Sequence, residues 1–195
     1  MPFYIRDDDS PAKREILRAA LKLFSSQGLA ATTIRGIAAE SGYTNPALYK
    51  HFASKDALAQ YLFETCHARV WTKCAAALAS GDGFDQKLDA YVAAWLELLD
   101  EEPDVLAFLA DRARVLWPRA GAAVRRKTMI GLARSLVAEA PRVREPAGSI
   151  DRDVAAAALE GTLSELGRMI QVGVVPGPAR RWQDKLVALF RQLLV

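Results

Sequence analysis

Residues that mark several specialised protein classes are scarce in this 195-residue chain, which has two cysteines and two histidines. Two cysteines are too few for a disulfide framework. Cys66, His67 and Cys74 superficially resemble metal ligands, but Cys66 and His67 are adjacent and would point about 100° apart on a helix. No second pair of ligands accompanies them. We therefore expect no metal site and no other cofactor.

Long apolar runs are also missing. The longest unbroken run is only a handful of residues, which excludes a transmembrane helix. The chain turns acidic at Asp7-Asp8-Asp9, where an export signal would turn apolar. Because 51% of the residues are hydrophobic, a disordered chain is excluded as well. The length suffices for one domain or a closely packed pair, and we expect a cytoplasmic globular protein.

The net charge of +3 says little by itself, because many proteins without a nucleic-acid partner carry as much. The distribution of the charge is more informative. Residues 10–60 contain seven lysines and arginines but only three acidic residues. A basic first segment on a nearly neutral body indicates an anionic partner for that segment.

The spacing of apolar residues predicts an all-α protein. Ala and Leu are abundant, apolar residues recur at intervals of three and four, and runs of alternating β-branched residues are missing. Gly28 predicts a left-handed end of the first helix. Four closely spaced capping residues mark the starts of the first four helices. They are Ser10, Thr33, Thr44 and Ser54.

The fourth helix is predicted to be long, from residue 55 to about residue 79. Five more helices follow, which gives about nine in all, and a loop at 141–149 is predicted to be the most flexible segment. The predicted ranges of these five helices are 84–100, 104–116, 119–139, 151–172 and 179–194.

Two short helices joined by the turn Ser41-Gly42-Tyr43 predict a helix-turn-helix. In this motif the first short helix crosses the DNA backbone and the second places its polar start in the major groove. Small residues at the turn allow the two helices to approach each other closely. An anionic partner of the basic segment would then be double-stranded DNA.

The sequence of this motif closely resembles the TetR family of bacterial transcriptional regulators. The resemblance is carried by residues 33–52, TIRGIAAESGYTNPALYKHF, and by the ASKDAL that follows. It extends from Phe24 and Gly28 to Lys55. Gly36, Ser41 and Tyr43 depart from the family pattern, but none of them removes a group that contacts DNA.

The resemblance implies an all-α fold with two domains. A three-helix helix-turn-helix DNA-binding domain is expected at 10–56, with its recognition motif at 33–52. The long fourth helix would join it to a helical ligand-binding and dimerisation domain at 57–195. Beyond about residue 60 the resemblance depends only on the number and length of helices.

Ten residues are expected to contact DNA. Asn45 can pair with an adenine edge, Ala47 can touch a thymine methyl, and Pro46 would act by shape and apolar contact. The start of the third helix offers N–H groups to phosphate, while the resemblance makes Tyr49 and Lys55 phosphate contacts. The full set is Thr33, Arg35, Thr44, Asn45, Pro46, Ala47, Tyr49, Lys50, His51 and Lys55.

Structural alternatives remain for part of this region. Tyr49 could be a core aromatic residue and His51 could only cap or solvate a helix end. Lys13, Arg14 and Lys22 are expected to form a solvated helix face and not specific DNA contacts. Leu48 and Phe52 are expected to be structural.

The resemblance also implies a ligand cavity between helices four to eight. Aromatic and Met side chains in that region are the candidate lining, although aromatic residues at helical spacing are more often part of a core. Asp111, Arg112 and Arg114 could add polar selectivity, or could form an ion-paired solvated face. The candidate ligand-binding residues are Trp71, Tyr91, Trp95, Phe108, Trp117 and Met129.

The last two helices are expected to form a homodimer interface with the symmetry of a palindromic operator. One carries a stripe of small residues and the other an apolar stripe. The alternative is that both stripes pack within their own subunit. The expected interface residues are Ala157, Gly161, Ser164, Trp182, Leu186, Leu189 and Leu193.

The expected function is a homodimeric repressor that a small, largely apolar or aromatic effector releases from a palindromic operator. One alternative is a DNA-binding regulator that a protein partner controls, or that is not switched at all. A remote alternative is a helical enzyme. The chain lacks a His-Glu-x-x-His motif, a phosphate-binding glycine loop and an evident nucleophile–base pair, so we expect no enzyme.

Overall fold

The computed structural model describes residues 2–141 and 150–194, and all regular structure within those ranges is helical. This confirms the predicted all-α class. Except for Pro141, the loop predicted at 141–149 lies outside the described residues. No helix of the described ranges is both long enough and apolar enough to cross a bilayer.

The described helices follow one another with short connections. Two 3₁₀ segments, Trp117–Arg119 and Ala179–Trp182, lie between them. The α-helices are α1 (Pro11–Ala31), α2 (Ile34–Ser41), α3 (Asn45–His51), α4 (Lys55–Ser80), α5 (Gly83–Glu101), α6 (Pro103–Leu116), α7 (Ala122–Arg125), α8 (Met129–Val137), α9 (Arg152–Gln171) and α10 (Gln183–Leu194).

The chain forms two compact units. The first consists of the chain up to Arg69 together with Asp104–Arg126, and the second of Val70–Pro103 together with the chain from Lys127 onward. The predicted functional division at residues 56 and 57 concerns DNA and ligand binding, and it stays a prediction.

In the first unit, α1 to α3 form a small bundle with the start of α4 and with α6. Ser10 caps α1, accepting a hydrogen bond from the Lys13 N–H at 3.3 Å. Gly28 has a positive φ of 81° with a ψ of 159°. The helix is therefore interrupted there, but not by the left-handed conformation that we predicted, and helical turns continue to Ala31.

The prediction of one helix over 119–139 is wrong. The structure has the 3₁₀ segment, α7 and α8 in that range, with non-helical residues between them. Gly121 has low helix propensity and lies just before α7. Thr128 starts a new helix because its hydroxyl accepts a hydrogen bond from the Gly131 N–H at 3.0 Å.

In the second unit, α5 packs against α8, α9 and α10. A Cβ added to Gly167 of α9 would overlap Leu99 Cδ2, so α5 and α9 approach too closely for a larger residue. Arg191 on α10 forms ion pairs with Asp85 at 2.8 Å and with Asp89 at 2.9 Å, which join α10 to α5.

Candidate nucleic-acid interface

The helix-turn-helix is formed by α2, α3 and the turn between them. Thr33 caps α2 by accepting a hydrogen bond from the Gly36 N–H at 3.0 Å. A Cβ on Gly36 would lie 3.3 Å from that hydroxyl, so the glycine leaves room for the cap. Gly42 ends α2 with φ 74° in the left-handed region, as predicted.

Buried side chains fix the angle between α2 and α3. Ile37 is fully buried, Ala38 is 5% exposed and Leu48 is 1% exposed. Phe52, which follows α3, is 7% exposed. The structural role predicted for Leu48 and Phe52 is confirmed, because their burial leaves the opposite side of α3 free.

The exposed side of α3 carries most of the predicted DNA-contacting residues. Asn45, Pro46, Lys50 and His51 are exposed and Ala47 is half-buried. Tyr49 is 53% exposed, which argues against the alternative that it is a core residue. Thr44 occupies the N-cap position, but its side chain forms no capping hydrogen bond.

Thr33 and Arg35 are exposed at the start of α2. Together with the α3 residues they form one accessible polar surface on a rigid two-helix support. The structure therefore brings together nine of the ten predicted DNA-contacting residues on α2, α3 and the caps before them. Their contact with DNA stays a prediction.

The basic residues of α1 have partners within the chain. Lys22 forms an ion pair with Glu40 at 2.8 Å, and this hydrogen bond is the main cause that lowers the pKa of the Glu40 carboxyl. Arg14 donates from Nε to the Asp9 carbonyl at 2.8 Å. These contacts support the prediction that the cations of α1 are not specific DNA contacts.

A buried acid, Asp9, lies beneath α1 and was not among the predicted functional residues. It is 4% exposed and forms an ion pair with Lys13 at 2.6 Å. Tyr61 also donates a hydrogen bond to it at 3.0 Å. Burial by itself would raise the pKa of Asp9, but the hydrogen bonds from Lys13, the Arg6 N–H and Tyr61 outweigh it and lower the pKa.

Lys55, the tenth predicted DNA contact, has a more specific environment. Its ammonium donates hydrogen bonds to the carbonyl oxygens of Leu29 and Thr32, each at 2.7 Å. Both acceptors lie at the end of α1. No local pattern signals these two bonds, because their partners are 26 and 23 residues apart along the chain.

Two of the predicted ligand-binding residues lie in the first unit. Phe108 is 1% exposed and stacks on Phe24, with ring centroids 5.8 Å apart. Trp117 packs edge-on against His67 at 4.9 Å. Phe108 is thus part of the packing between α1 and α6.

The other four predicted ligand-binding residues lie in the second unit. Tyr91 is completely buried and Trp95 is 7% exposed, while Trp71 and Met129 are half-buried. The Lys127 ammonium lies 4.8 Å from the Trp71 ring centroid. Whether these aromatic residues line a cavity or only a core stays a prediction.

Glu160 on α9 joins this aromatic group and was not predicted from the sequence. It accepts a hydrogen bond from the Tyr91 hydroxyl. Burial raises the pKa of the Glu160 carboxyl, and the neighbouring Tyr91 and Trp95 side chains only partly oppose this effect. The Trp95 Nε1 is buried and makes no hydrogen bond of standard geometry.

Of the polar residues weighed on α6, Arg112 forms an ion pair with Asp111 at 3.0 Å, and its Nε is buried without a hydrogen-bond partner. Arg114 is exposed. Within the described ranges, no group of three or more His, Cys, Asp or Glu residues could hold a metal ion.

The predicted dimer surface is partly open in the single chain. The small-residue stripe of Ala157, Gly161 and Ser164 is exposed on α9. Leu189 is 49% exposed, whereas Leu186 is 7% exposed and already buried in its own subunit. Trp182 and Leu193 are half-buried.

A largely apolar groove of about 490 Å³ runs along this surface. Gly161 and Met169 of α9 line one side, and Trp182 and Leu186 line the other. A Cβ added to Gly161 would meet nothing within 4 Å. The close approach that this glycine permits is therefore not used within the described chain.

Comparison with known proteins places these features in a family. Residues 16–62 match the model described as bacterial regulatory proteins, tetR family. The chain is 31% identical over 107 residues to the HTH-type transcriptional repressor KstR2 of Rhodococcus jostii (strain RHA1). That alignment covers 55% of this chain and 52% of the relative, so the match spans about half of that protein's length.

Solved structures share the fold over nearly the whole chain. The ketosteroid transcriptional regulator KstR2 of Mycobacterium tuberculosis superposes with a TM-score of 0.81 at 20% identity, covering 98% of each chain. The regulator FadR of Bacillus subtilis, in complex with stearoyl-CoA, has a TM-score of 0.69 at 15% identity and covers 91% of this chain and 96% of its own. At these identities the similarity establishes the fold.

Proposed function

Because this chain belongs to the tetR family of bacterial regulatory proteins, we propose that it is a sequence-specific DNA-binding regulator that acts as a homodimeric repressor. The observation that carries the proposal is the exposed side of α3, where Asn45, Tyr49 and Lys50 project from a helix anchored by buried Leu48. The named relatives are regulators, which supports this function over the helical-enzyme alternative.

In the proposed complex, α3 inserts into the major groove. Asn45 reads a base edge, while Thr33, Arg35 and Tyr49 contact the flanking phosphates. The positive end of α3 adds an electrostatic contribution to phosphate binding. Such a complex would form in the cytoplasm, where bacterial DNA lies.

A second copy of the chain would bind through α9 and α10. The exposed stripe on α9 and the apolar groove beside Trp182 are the surfaces that support this proposal. A two-fold dimer presents two copies of α3 to successive major grooves when they are about 34–36 Å apart, which matches a palindromic operator.

We further propose that a small, largely apolar effector releases the repressor. The aromatic group of the second unit around Tyr91 and Trp95 supports an apolar ligand. The names of two structural relatives, a ketosteroid regulator and a FadR bound to stearoyl-CoA, suggest the first probes. A releasing effector must bind the DNA-incompetent conformation more tightly, since equal affinity for both conformations shifts nothing.

The primary experiment is selection of bound duplexes from a random DNA pool by the purified protein at physiological salt. Enrichment of one palindrome would support a dimeric, sequence-specific regulator. A folded dimer that enriches no site would contradict specific DNA recognition by the ligand-free protein.

The enriched duplex then serves as the reporter for effectors. Stearoyl-CoA and a steroid ketone are titrated against the protein–DNA complex, with fluorescence anisotropy as the readout. Release by either probe supports the effector proposal and gives its class. Unchanged anisotropy with both probes favours the alternative of a regulator controlled by a protein partner or not switched.

A further inference from the structure

The ammonium group of Lys55 is committed to the end of α1. It donates to the carbonyl oxygens of Leu29 and Thr32 at 2.7 Å each, and the Lys55 side chain is half-buried. An ammonium has three N–H donors, so two of the three are used inside the protein. Bonds of this length to a charged donor are at the strong end of the range for protein hydrogen bonds.

These carbonyl groups need a donor from outside α1. The last carbonyls of a helix have no intrahelical partner and carry a partial negative charge. Thr32 is completely buried, and its hydroxyl lies within hydrogen-bonding distance of the Gly28 carbonyl at 2.8 Å and the Leu23 carbonyl at 3.2 Å. The Thr32 side chain thus serves other carbonyls of α1, and Lys55 serves Leu29 and Thr32 itself.

The two bonds join the two ends of the helix-turn-helix. Thr32 immediately precedes Thr33, which caps α2, and Lys55 begins α4 only three residues after Phe52 ends α3. One side chain therefore connects the residue before the motif to the helix after it.

We propose that Lys55 is a positioning residue, which closes the helix-turn-helix and so sets the orientation of α3, instead of the phosphate contact that the resemblance implies. This inference rests on the proposed function for its DNA-binding consequence. To contact phosphate with the same donors, Lys55 would have to give up two charge-assisted hydrogen bonds and leave two carbonyl groups without their donor.

The location of Lys55 also has an electrostatic reason. A cation in the first turn of α4 is unfavourable for its own helix, because the helix N-terminus carries partial positive charge. The same cation is favourable at the C-terminus of α1. The contact with α1 therefore offsets the penalty within α4.

The first test compares the salt dependence of DNA binding for Lys55→Ala, Lys55→Arg and Lys50→Ala on the selected palindrome. Lys50 is exposed on α3 and serves as the reference for a cation that neutralises a phosphate. Lys55→Ala is expected to weaken binding at least about tenfold with an unchanged slope of log Kd against log salt concentration. Lys55→Arg should restore the affinity, because a guanidinium can donate to both carbonyl groups.

Lys50→Ala should instead reduce the slope by about one unit for each phosphate that the variant no longer neutralises. The same reduction in Lys55→Ala would show that Lys55 neutralises a phosphate and would overturn the proposal.

The second test uses no DNA and measures amide hydrogen exchange in the same variants. Lys55→Ala should accelerate exchange in α2 and α3 while α9 keeps its protection, and Lys55→Arg should restore protection. Equal acceleration in every helix would indicate a general loss of stability and would contradict a local positioning role. Unchanged exchange in α2 and α3 would show that Lys55 positions nothing. If the wild-type protein selects no DNA, the proposed function fails, but exchange still decides whether Lys55 fixes the motif.

Discussion

The hydroxyl of Tyr91 donates a hydrogen bond to the carboxyl of Glu160 and thereby joins α5 to α9 inside the second unit. Burial is the main cause that raises the pKa of both groups, and the nearby Glu160 also raises the pKa of the buried Cys74 thiol after burial itself. None of the groups that shift the pKa of Glu160 is a cation. The pair is therefore stable as a neutral acid with a hydrogen-bonded phenol.

A pH-dependent stability follows from the raised pKa of Glu160. As pH rises above the ordinary value of 4.5, the unfolded chain loses this proton while the folded protein still holds it. The unfolding free energy should then fall with rising pH until the folded-state pKa is passed. Glu160→Gln keeps a hydrogen-bonding side chain without the titration, so its unfolding free energy should decline less over that range.

Urea unfolding of the wild type and of Glu160→Gln between about pH 4.5 and pH 8 checks this prediction. Glu165→Gln on the same helix is the matched control, because Glu165 is exposed and its pKa is lowered by the hydrogen bond from Arg168. Parallel pH profiles for wild type and Glu160→Gln would show that Glu160 is not buried as an acid.

Phe108→Ala should destabilise the protein strongly, because Phe108 is 1% exposed and stacks on Phe24. Truncation of a buried Phe removes apolar contacts and leaves a cavity, at a cost of about 3–5 kcal/mol in unfolding free energy. Val115→Ala, at a position on α6 that is 48% exposed, should stay within about 0.5 kcal/mol of the wild type. Equal midpoints for both variants in urea would place Phe108 outside the core.

Local sequence signals predicted the helix starts well, because a cap depends on residues three positions apart. Ser10, Thr33 and Ser54 all accept the expected hydrogen bonds from the third residue after them. The range 119–139 was predicted wrongly because its apolar spacing outweighed Gly121 and the capping ability of Thr128. There, local breakers decide the structure within a few residues.

The contacts that modify the candidate sites could not be predicted in this way. Tyr91 and Glu160 are 69 residues apart in the chain, and Tyr61 and Asp9 are 52 apart. Lys55 was assigned to phosphate by resemblance, and its carbonyl partners become visible only when α1 and α4 are packed together. Periodicity predicts which face of a helix is buried but not which buried polar groups meet.

Asn45→Ala should relax sequence preference at one symmetric pair of operator positions. Asn45 is exposed at the first turn of α3, where its amide can pair with an adenine edge. Loss of a bidentate contact costs about 1–3 kcal/mol of discrimination at that base pair. Binding measured on the selected palindrome and on duplexes with single substitutions would reveal the position.

Arg35→Ala is the control for Asn45→Ala, because Arg35 is proposed to contact the backbone from α2. Its loss should weaken binding by a similar factor on every duplex. The same uniform pattern for Asn45→Ala would remove Asn45 from the base-reading residues.

Gly161→Leu should convert the proposed dimer into monomers while the subunit stays folded. A Cβ at Gly161 meets nothing within 4 Å, so the subunit has room for the start of a larger side chain on this exposed face of α9. In a dimer built on this stripe, the leucine would separate the two copies of the helix. Sedimentation velocity should therefore show monomers, with helical content and thermal midpoint close to the wild type.

Gly167→Ala distinguishes this interface effect from damage to the fold. Gly167 lies further along α9, and an added Cβ there would overlap Leu99 Cδ2 within the same subunit. Its thermal midpoint should fall, because the new methyl group forces α5 and α9 apart. A dimer that persists in Gly161→Leu would place the subunit interface away from the small-residue stripe, and DNA half-site spacing would then have to be set by another surface.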